Sequence, residues 1–333
     1  MPVRPSDAEL ASVVTKVFAG GGAGAPRLVE RRSSPYRTSF PIEELQVELS
    51  GADPVRVCFK RLDWEVLESG AQLAKPRFLH DPEREPAVYG ALLPQAPAGP
   101  PELFGALREA DRHWLFVEWV VGRELFQVGE RELWEEAARW LGRFHAAMAS
   151  ELDRHRRECL LLDHDAAFYR RWIDRAREFS SSAGGSAAGG VGWLAGRHEQ
   201  VVEALLGSPQ TVIHGEFYAS NVLVASDFDH NPLGRKSDVR VAPVDWEMTA
   251  IGPGLTDLAA LVSGWPEADR HAIAAAYASE AGVPAFSERD LDLARLQVAI
   301  QWLGWAPPEW VPPEGQRHDW LAEAVALAEE LEL

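Results

Sequence analysis

Behind the capping-box pattern Ser6-Asp7-Ala8-Glu9, apolar residues recur at Leu10, Val13, Val14, Val17 and Phe18. That spacing lines one face of a helix, so a short amphipathic helix is expected to open the chain and to break at Gly20 to Gly24. The pattern then turns strand-like. Gln46-Val47-Glu48-Leu49 and Val55-Arg56-Val57-Cys58-Phe59-Lys60 flank the turn Ser50-Gly51-Ala52-Asp53-Pro54, which predicts a hairpin with Lys60 near its far end. Asp81-Pro82 can cap a helix running through Glu85, Tyr89 and Leu92 to Leu93. Trp114 to Val120 reads as an apolar strand passing into a turn at Gly122.

From about Glu130 the period changes. Leu133, Ala137, Trp140, Leu141, Phe144 and Met148 describe one helical face, and helical patterns return at 166–179 and 193–206. Between those two, the Ser/Ala/Gly run Ser180 to Gly192 reads as a mobile surface loop. Val222-Leu223-Val224 and Val239 to Val244 read as antiparallel strands joined by the polar, turn-rich stretch Asp227 to Asp238. Helices are expected around 256–264, 267–281, 288–304 and 318–332. A small β-rich part followed by a mainly helical one makes an α+β chain, and 333 residues exceed the size at which one core usually stops growing. Two lobes with a cleft between them are expected, an N-terminal lobe over 1–120 and a C-terminal lobe over 121–333.

Composition narrows the functions. A hydrophobic fraction of 46% is ordinary for a globular protein, and no run approaches the roughly 20 apolar residues that span a bilayer. Met1 to Asp7 has no apolar signal core, so a cytoplasmic location is expected. Cys58 and Cys159 offer neither a disulfide framework nor metal-ligand spacing. The net charge of −18 argues against a nucleic-acid partner, while it permits a cationic substrate. Lysine is scarce, with only Lys16, Lys60, Lys75 and Lys236, so Lys60 in an otherwise apolar strand stands out.

The chemistry is concentrated in His214-Gly215-Glu216-Phe217-Tyr218-Ala219-Ser220-Asn221 and, 24 residues after Asn221, in Asp245-Trp246-Glu247. Phosphoryl-transfer sites use one carboxylate to receive the acceptor hydroxyl's proton, then an amide and a second carboxylate to hold magnesium against the phosphates. Glu216, Asn221 and Asp245 fit these roles in order. Each residue alone is also a plain turn or capping residue. His145 on an apolar helix face reads as a satisfied core histidine, and His164-Asp165 and His230, in polar segments, lack a second ligand at zinc spacing. Trp302, Trp305, Trp310 and Trp320 either wall an acceptor pocket or fill the core.

His214-Gly215-Glu216 with Asn221, Val244-Asp245-Trp246-Glu247 and Asp257 resembles the aminoglycoside phosphotransferase and choline kinase-like superfamily of small-molecule kinases. Trp114 to Gly122 resembles that family's hinge strand, and Leu141 to Ala146 the helix after it. The resemblance implies a two-lobed protein kinase-like fold moving the terminal phosphoryl group of ATP, or GTP, with Mg2+, to a small-molecule hydroxyl. An aminoglycoside or another amino alcohol or sugar is one such acceptor. Lys60 would hold the nucleotide phosphates, oriented by Glu85 or its rival Glu83, and the hinge at Glu118 and Val120 would contact the base. His214 and Asp257 would brace the catalytic loop, although Asp257 also suits a simple helix N-terminus. Ser33 and Ser34, where protein kinases carry a glycine-rich loop, read either as phosphate contacts or as a surface turn. The first carboxylate of the family is usually Asp, and Glu216 is longer by one carbon–carbon bond, about 1.5 Å. A second reading, a nucleotide-binding sensor or scaffold without catalysis, rests on that departure.

Overall fold

The computed structural model describes residues 4–19, 26–34, 39–49, 53–109, 112–183, 185–225, 239–282, 286–310 and 318–333. Ser6 caps α1 (Asp7–Val17), its hydroxyl accepting from the Glu9 amide at 3.2 Å. Strands β1 (Arg27–Ser33), β2 (Ile42–Glu48), β3 (Val55–Arg61), β4 (Leu103–Glu109) and β5 (Arg112–Glu118) form one antiparallel sheet in the order β1-β2-β3-β5-β4. The expected hairpin is β2–β3, and Ile42 pairs with Lys60 at its far end. Gly20 to Gly24 and Ser50 to Ala52 lie outside the described residues.

Side chains alternate across a strand, and the sheet uses both faces. Val57, Phe59, Trp114 and Phe116 bury against Leu10, Val13 and Val14 of α1. Cys58, Leu115 and Val117 join the larger core with Val88, Tyr89 and Leu92, which puts Lys60 on that same inner face.

Two short helices, α2 (Ser69–Ala74) and α3 (Arg84–Ala87), separate β3 from β4. The helix expected from 81 to 93 is broken. After α3 the chain widens into a π-turn at Val88–Leu92 and tightens into a 3-10 turn at Leu93–Gln95, where Pro94 prevents continuation of an α-helix.

Beyond β5, the fold is helical around two small sheets. β6 (Arg123–Glu124) leads into α4 (Arg131–Met148), whose Trp134, Ala137, Trp140, Leu141, Phe144 and Met148 are buried. Then follow α5 (Leu152–Cys159), β7 (Leu162–Asp163), α6 (Ala166–Ala183), α7 (Gly185–Ala195) and α8 (His198–Gly207). The loop expected at Ser180 to Gly192 is helical instead: α6 runs on to Ala183 and α7 begins at Gly185. Val191 and Leu194 are buried, which overrides a glycine penalty of about 1 kcal/mol per residue.

The chain ends with β8 (Gln210–Ile213), β9 (Val222–Ala225), β10 (Arg240–Pro243), β11 (Ala250–Pro253), α9 (Leu255–Leu261), α10 (Glu267–Ala278), α11 (Glu288–Trp305) and α12 (Trp320–Glu330). β9 and β10 pair as expected, with Val222 opposite Pro243, although Asp227 to Asp238 fall outside the described residues. β11 lies between β7 and β8. These two small sheets carry the loop 214–221 and the segment 245–249 to the inner face of the large sheet. Among the described residues no helix is long and apolar enough to cross a membrane.

Candidate active site

Lys60 is buried, and its ammonium lies 2.8 Å from Glu85 and in hydrogen-bond contact with Asp245. Of the two glutamates read as its partner the structure selects Glu85, for Glu83 is exposed and lies 3.7 Å from the His113 ring. Burial opposes the charge on Lys60, but Asp245, Glu85 and Glu247 outweigh it and hold the ammonium well above its usual range. Burial raises the Glu85 carboxyl, with Lys60 opposing. Asp245 stays low because Lys60 more than offsets its desolvation. Its backbone sits in the left-handed region, φ 65 and ψ 63, an uncommon conformation for a residue with a side chain and one found at working sites.

Asn221 is brought beside Asp245 by the β9–β10 ladder, which the Val244 amide extends by donating to the Asn221 carbonyl at 2.9 Å. The Asn221 side-chain amide donates to the Glu216 carbonyl at 3.0 Å, closing the loop on itself. Glu216 is half-buried. Burial first, then the charges of Glu247 and Asp245, pushes its carboxyl up to about 8.

The loop is anchored from below. Asp257, fully buried in the first turn of α9, accepts from the His214 amide at 2.6 Å and the Gly215 amide at 2.9 Å. His145 Nε2 lies 3.1 Å from the same carboxylate, and His145 Nδ1 lies 2.9 Å from the Tyr277 hydroxyl. His145 is therefore a satisfied core histidine, and it also carries Asp257. His214 Nε2 reaches the Val244 carbonyl at 3.0 Å, joining the loop to the strand before Asp245. Gly215 has φ 87, and a Cβ there would sit 2.2 Å from the Met248 carbonyl oxygen, so no larger residue fits.

Other candidates are placed differently. The Glu118 amide donates to the Glu102 carbonyl at 2.8 Å, and its carboxylate takes Arg240 bidentately at 2.5 and 2.7 Å. Its side chain is thus a clamp between β5 and β10, and Val120 lies half-buried just past the strand. Ser33 is exposed at the end of β1; Ser34 is buried, with its amide donating to Ile42 at 2.9 Å. Residues 35–38 between them and β2 lie outside the described residues. His164, read as lying in a polar segment, is buried and stacked on Phe168 with ring centres 3.9 Å apart. His230 lies outside the described residues. Both cysteines are free.

Two elements escaped the sequence reading. Lys75 pairs with Glu247 in a second buried ion pair, and Lys60 and Lys75 both flank the Phe40 ring, at 5.2 and 5.0 Å. Lysine scarcity, which singled out Lys60, was also the signal for Lys75. Arg84 is buried and donates to the Leu79, Leu160 and Glu247 carbonyls at 2.9, 2.7 and 2.7 Å, tying α3 to the segment after Asp245.

A strand lysine paired to a helix glutamate thus faces a loop–strand pair bearing one carboxylate and one amide. Residues 72–295 match the APH, or phosphotransferase enzyme, family. The chain belongs to that family. Solved structures with the same fold include the GDP complex of aminoglycoside 2′-phosphotransferase-IIIa, at 12% identity over 98% of this chain and 99% of that one, TM-score 0.61. Macrolide 2′-phosphotransferase type I follows at 15% identity over 97% and 98%, TM-score 0.56. LicA in complex with AMP aligns at 12% identity over 98% and 99%, TM-score 0.53. No curated protein sequence matches the chain. Membership makes this phosphotransferase-family chain a kinase-like, two-lobed protein, with the sheet in the N-terminal lobe and helices in the C-terminal lobe.

Proposed function

We propose that this phosphotransferase moves the terminal phosphoryl group of ATP, or GTP, to a hydroxyl of a small molecule in the cytoplasm. The observation that carries the reading is the convergence of Lys60, Glu85 and Asp245 on one point, with Asn221 held beside Asp245 by the β9–β10 ladder. Proteins of the same fold bind GDP and AMP, which supports a nucleotide in this cleft. Lys60 holds the phosphates, and Glu85 keeps it aimed. Asp245 and Asn221 offer only oxygen ligands, a donor set that suits Mg2+. When bound there, the ion neutralises phosphate charge.

Glu216 receives the acceptor hydroxyl's proton. Two of the causes that raise its carboxyl are the charges of Glu247 and Asp245, so neutralising those carboxylates lowers it toward the ionised form. In a loose transition state alignment matters more than this proton, and the anchored loop supplies the alignment.

The test is ADP release from MgATP across a panel of small alcohols, with Glu216→Asp and Glu216→Gln beside the parent. A loop shaped around the longer side chain gives a lower kcat for Glu216→Asp and a lower one still for Glu216→Gln. A gain in Glu216→Asp would mark the parent as impaired and favour the sensor reading, which the longer carboxylate supports. No change in either variant would remove Glu216 from the chemistry.

A further inference from the structure

Among the described residues the buried lysines are Lys60 and Lys75, and both are in the cleft. Lys60 meets Glu85 and Asp245, whereas Lys75, just past α2, meets only Glu247, two residues beyond Asp245. Both ammoniums lie against the Phe40 ring, at 5.2 and 5.0 Å, so they border one space. The field of Lys75 reaches further than its ion pair. It helps hold the Asp245 carboxyl low, and it opposes the rise of Glu216 more strongly than Lys60 does. Asp245 belongs to the nucleotide end of the proposed site and Glu216 to the acceptor end. A cation that acts on both is placed along the path between them.

A buried ion pair can be a lock between two segments and nothing more. Here that lock exists without it, because Arg84 donates to the Leu79, Leu160 and Glu247 carbonyls and so ties residue 247 to the connection between β3 and β4. Nor is such a pair an evident source of stability, since desolvating two charges offsets their attraction. Arg84 spends its donors on main-chain oxygens. Lys75 instead carries a compact ammonium on a flexible four-carbon stem, which can exchange one anionic oxygen for another. Glu247 is not abandoned when that happens, for its charge also acts on Lys60.

We propose that Lys75 is a second phosphate-holding cation, which leaves Glu247 for the oxygens of the terminal phosphoryl group once a nucleoside triphosphate is seated beside Lys60. The proposal rests on the kinase reading of the cleft. During transfer the bond from phosphorus to the bridging oxygen breaks as the bond to the acceptor oxygen forms, and the hydroxyl proton passes to Glu216. The three non-bridging oxygens keep their charge throughout, so a cation that accompanies them from donor to acceptor favours the loose arrangement between. Lys60 then holds the phosphates that stay with the nucleotide, and Lys75 the one that leaves.

The test removes the pair as a unit, in Lys75→Met/Glu247→Gln, so that neither charge is left buried alone. ATP and ADP, each with magnesium, are titrated into the full chain, and dissociation constants are read from tryptophan fluorescence. Losing a charged contact to the terminal phosphoryl group should weaken ATP by about tenfold or more while ADP stays within about twofold of the parent. A pair that only braced the fold would not separate the two nucleotides. Glu247→Gln, which frees Lys75, should bind ATP at least as tightly as the parent. Where it instead loses as much as the double variant, the effect belongs to Glu247 and the proposal falls. Equal weakening of ATP and ADP in the double variant overturns it too, as does unchanged binding of both. In each of those cases the parent still binds nucleotide and the kinase reading stands; a parent that binds neither ATP nor ADP overturns both.

Discussion

Around Asp257 the charges are turned on the protein's own backbone and core, whereas around Lys60 they are turned on one another. Asp257 is fully buried and takes two backbone amides and His145, and burial is outweighed so that its carboxyl stays below the usual range. The Lys60–Glu85–Asp245 and Lys75–Glu247 pairs lie in the cleft, and Asp245 keeps more than a quarter of its side-chain surface open. The first arrangement cannot be rearranged without breaking the loop. The second can, because a nucleotide and its cation bring opposite charges for every member. Substitutions should accordingly cost stability in one region and ligand response in the other.

The largest expected effect is Asp257→Ala. It strands two amides and a histidine in a buried site, and removal of one partner from such a network costs about 3–5 kcal/mol. Urea unfolding at pH 7 measures it. Asp245→Asn is the contrasting arm: Lys60 loses one carboxylate but keeps Glu85, so stability should fall by less than in Asp257→Ala, while the magnesium-dependent part of the thermal shift with ATP disappears. Equal stability losses in the two variants would erase the distinction, and a retained magnesium-dependent shift would move the metal elsewhere.

Gly215→Ala comes next. A left-handed φ of 87 and a Cβ 2.2 Å from the Met248 oxygen together should cost about 3 kcal/mol. A variant as stable as the parent would show that the loop can shift, and the anchored region would no longer differ from the cleft.

A pH effect probes the same region. His164 is buried against Phe168, near Gly252 of β11, and burial lowers its ring from 6.5 to about 4. Above pH 6.5 folded and unfolded forms are both neutral, so nothing is lost. Between 6.5 and about 4 only the unfolded form takes the proton, and stability falls as pH falls. The gap corresponds to at most roughly 3 kcal/mol. Urea midpoints at pH 7.5 and 4.5 should fall further in the parent than in His164→Phe; parallel falls would show that this ring does not resist protonation.

What was legible in the sequence follows the same division. Lys60, Asn221 and Asp245 carry local signals: a cation in an apolar strand, and polar groups at fixed spacing around short strands. The Lys75–Glu247 pair spans 172 positions, and the His145–Asp257 contact spans 112, so neither leaves a periodic trace. β1, Arg-Leu-Val-Glu-Arg-Arg-Ser, is a mostly exposed edge strand without apolar alternation. Arg31 and Glu43 pair across it at 2.5 Å, a contact that reading along the chain does not reveal. Helix α7 was hidden for the opposite reason, since glycine content points to a loop while packing of Val191 and Leu194 decides for a helix.

The smallest effect is expected where the two regions meet. Glu118 and Arg240 clamp the exit of β5 to β10, the strand that leads to Asp245, and both side chains are about one-third exposed. Solvent screens such a pair, so Glu118→Gln should lower stability by no more than about 1 kcal/mol even though the geometry is bidentate. The clamp ties the end of β5 to the strand that precedes Asp245, so under the proposed function its loss should raise the KM for ATP a few-fold and leave kcat with the acceptor nearly unchanged. Paired measurements of KM and kcat check this. A fall in kcat with KM unchanged would mean that Glu118 acts through the catalytic loop, and the boundary drawn between the anchored loop and the adjustable cleft would then run through the wrong residues.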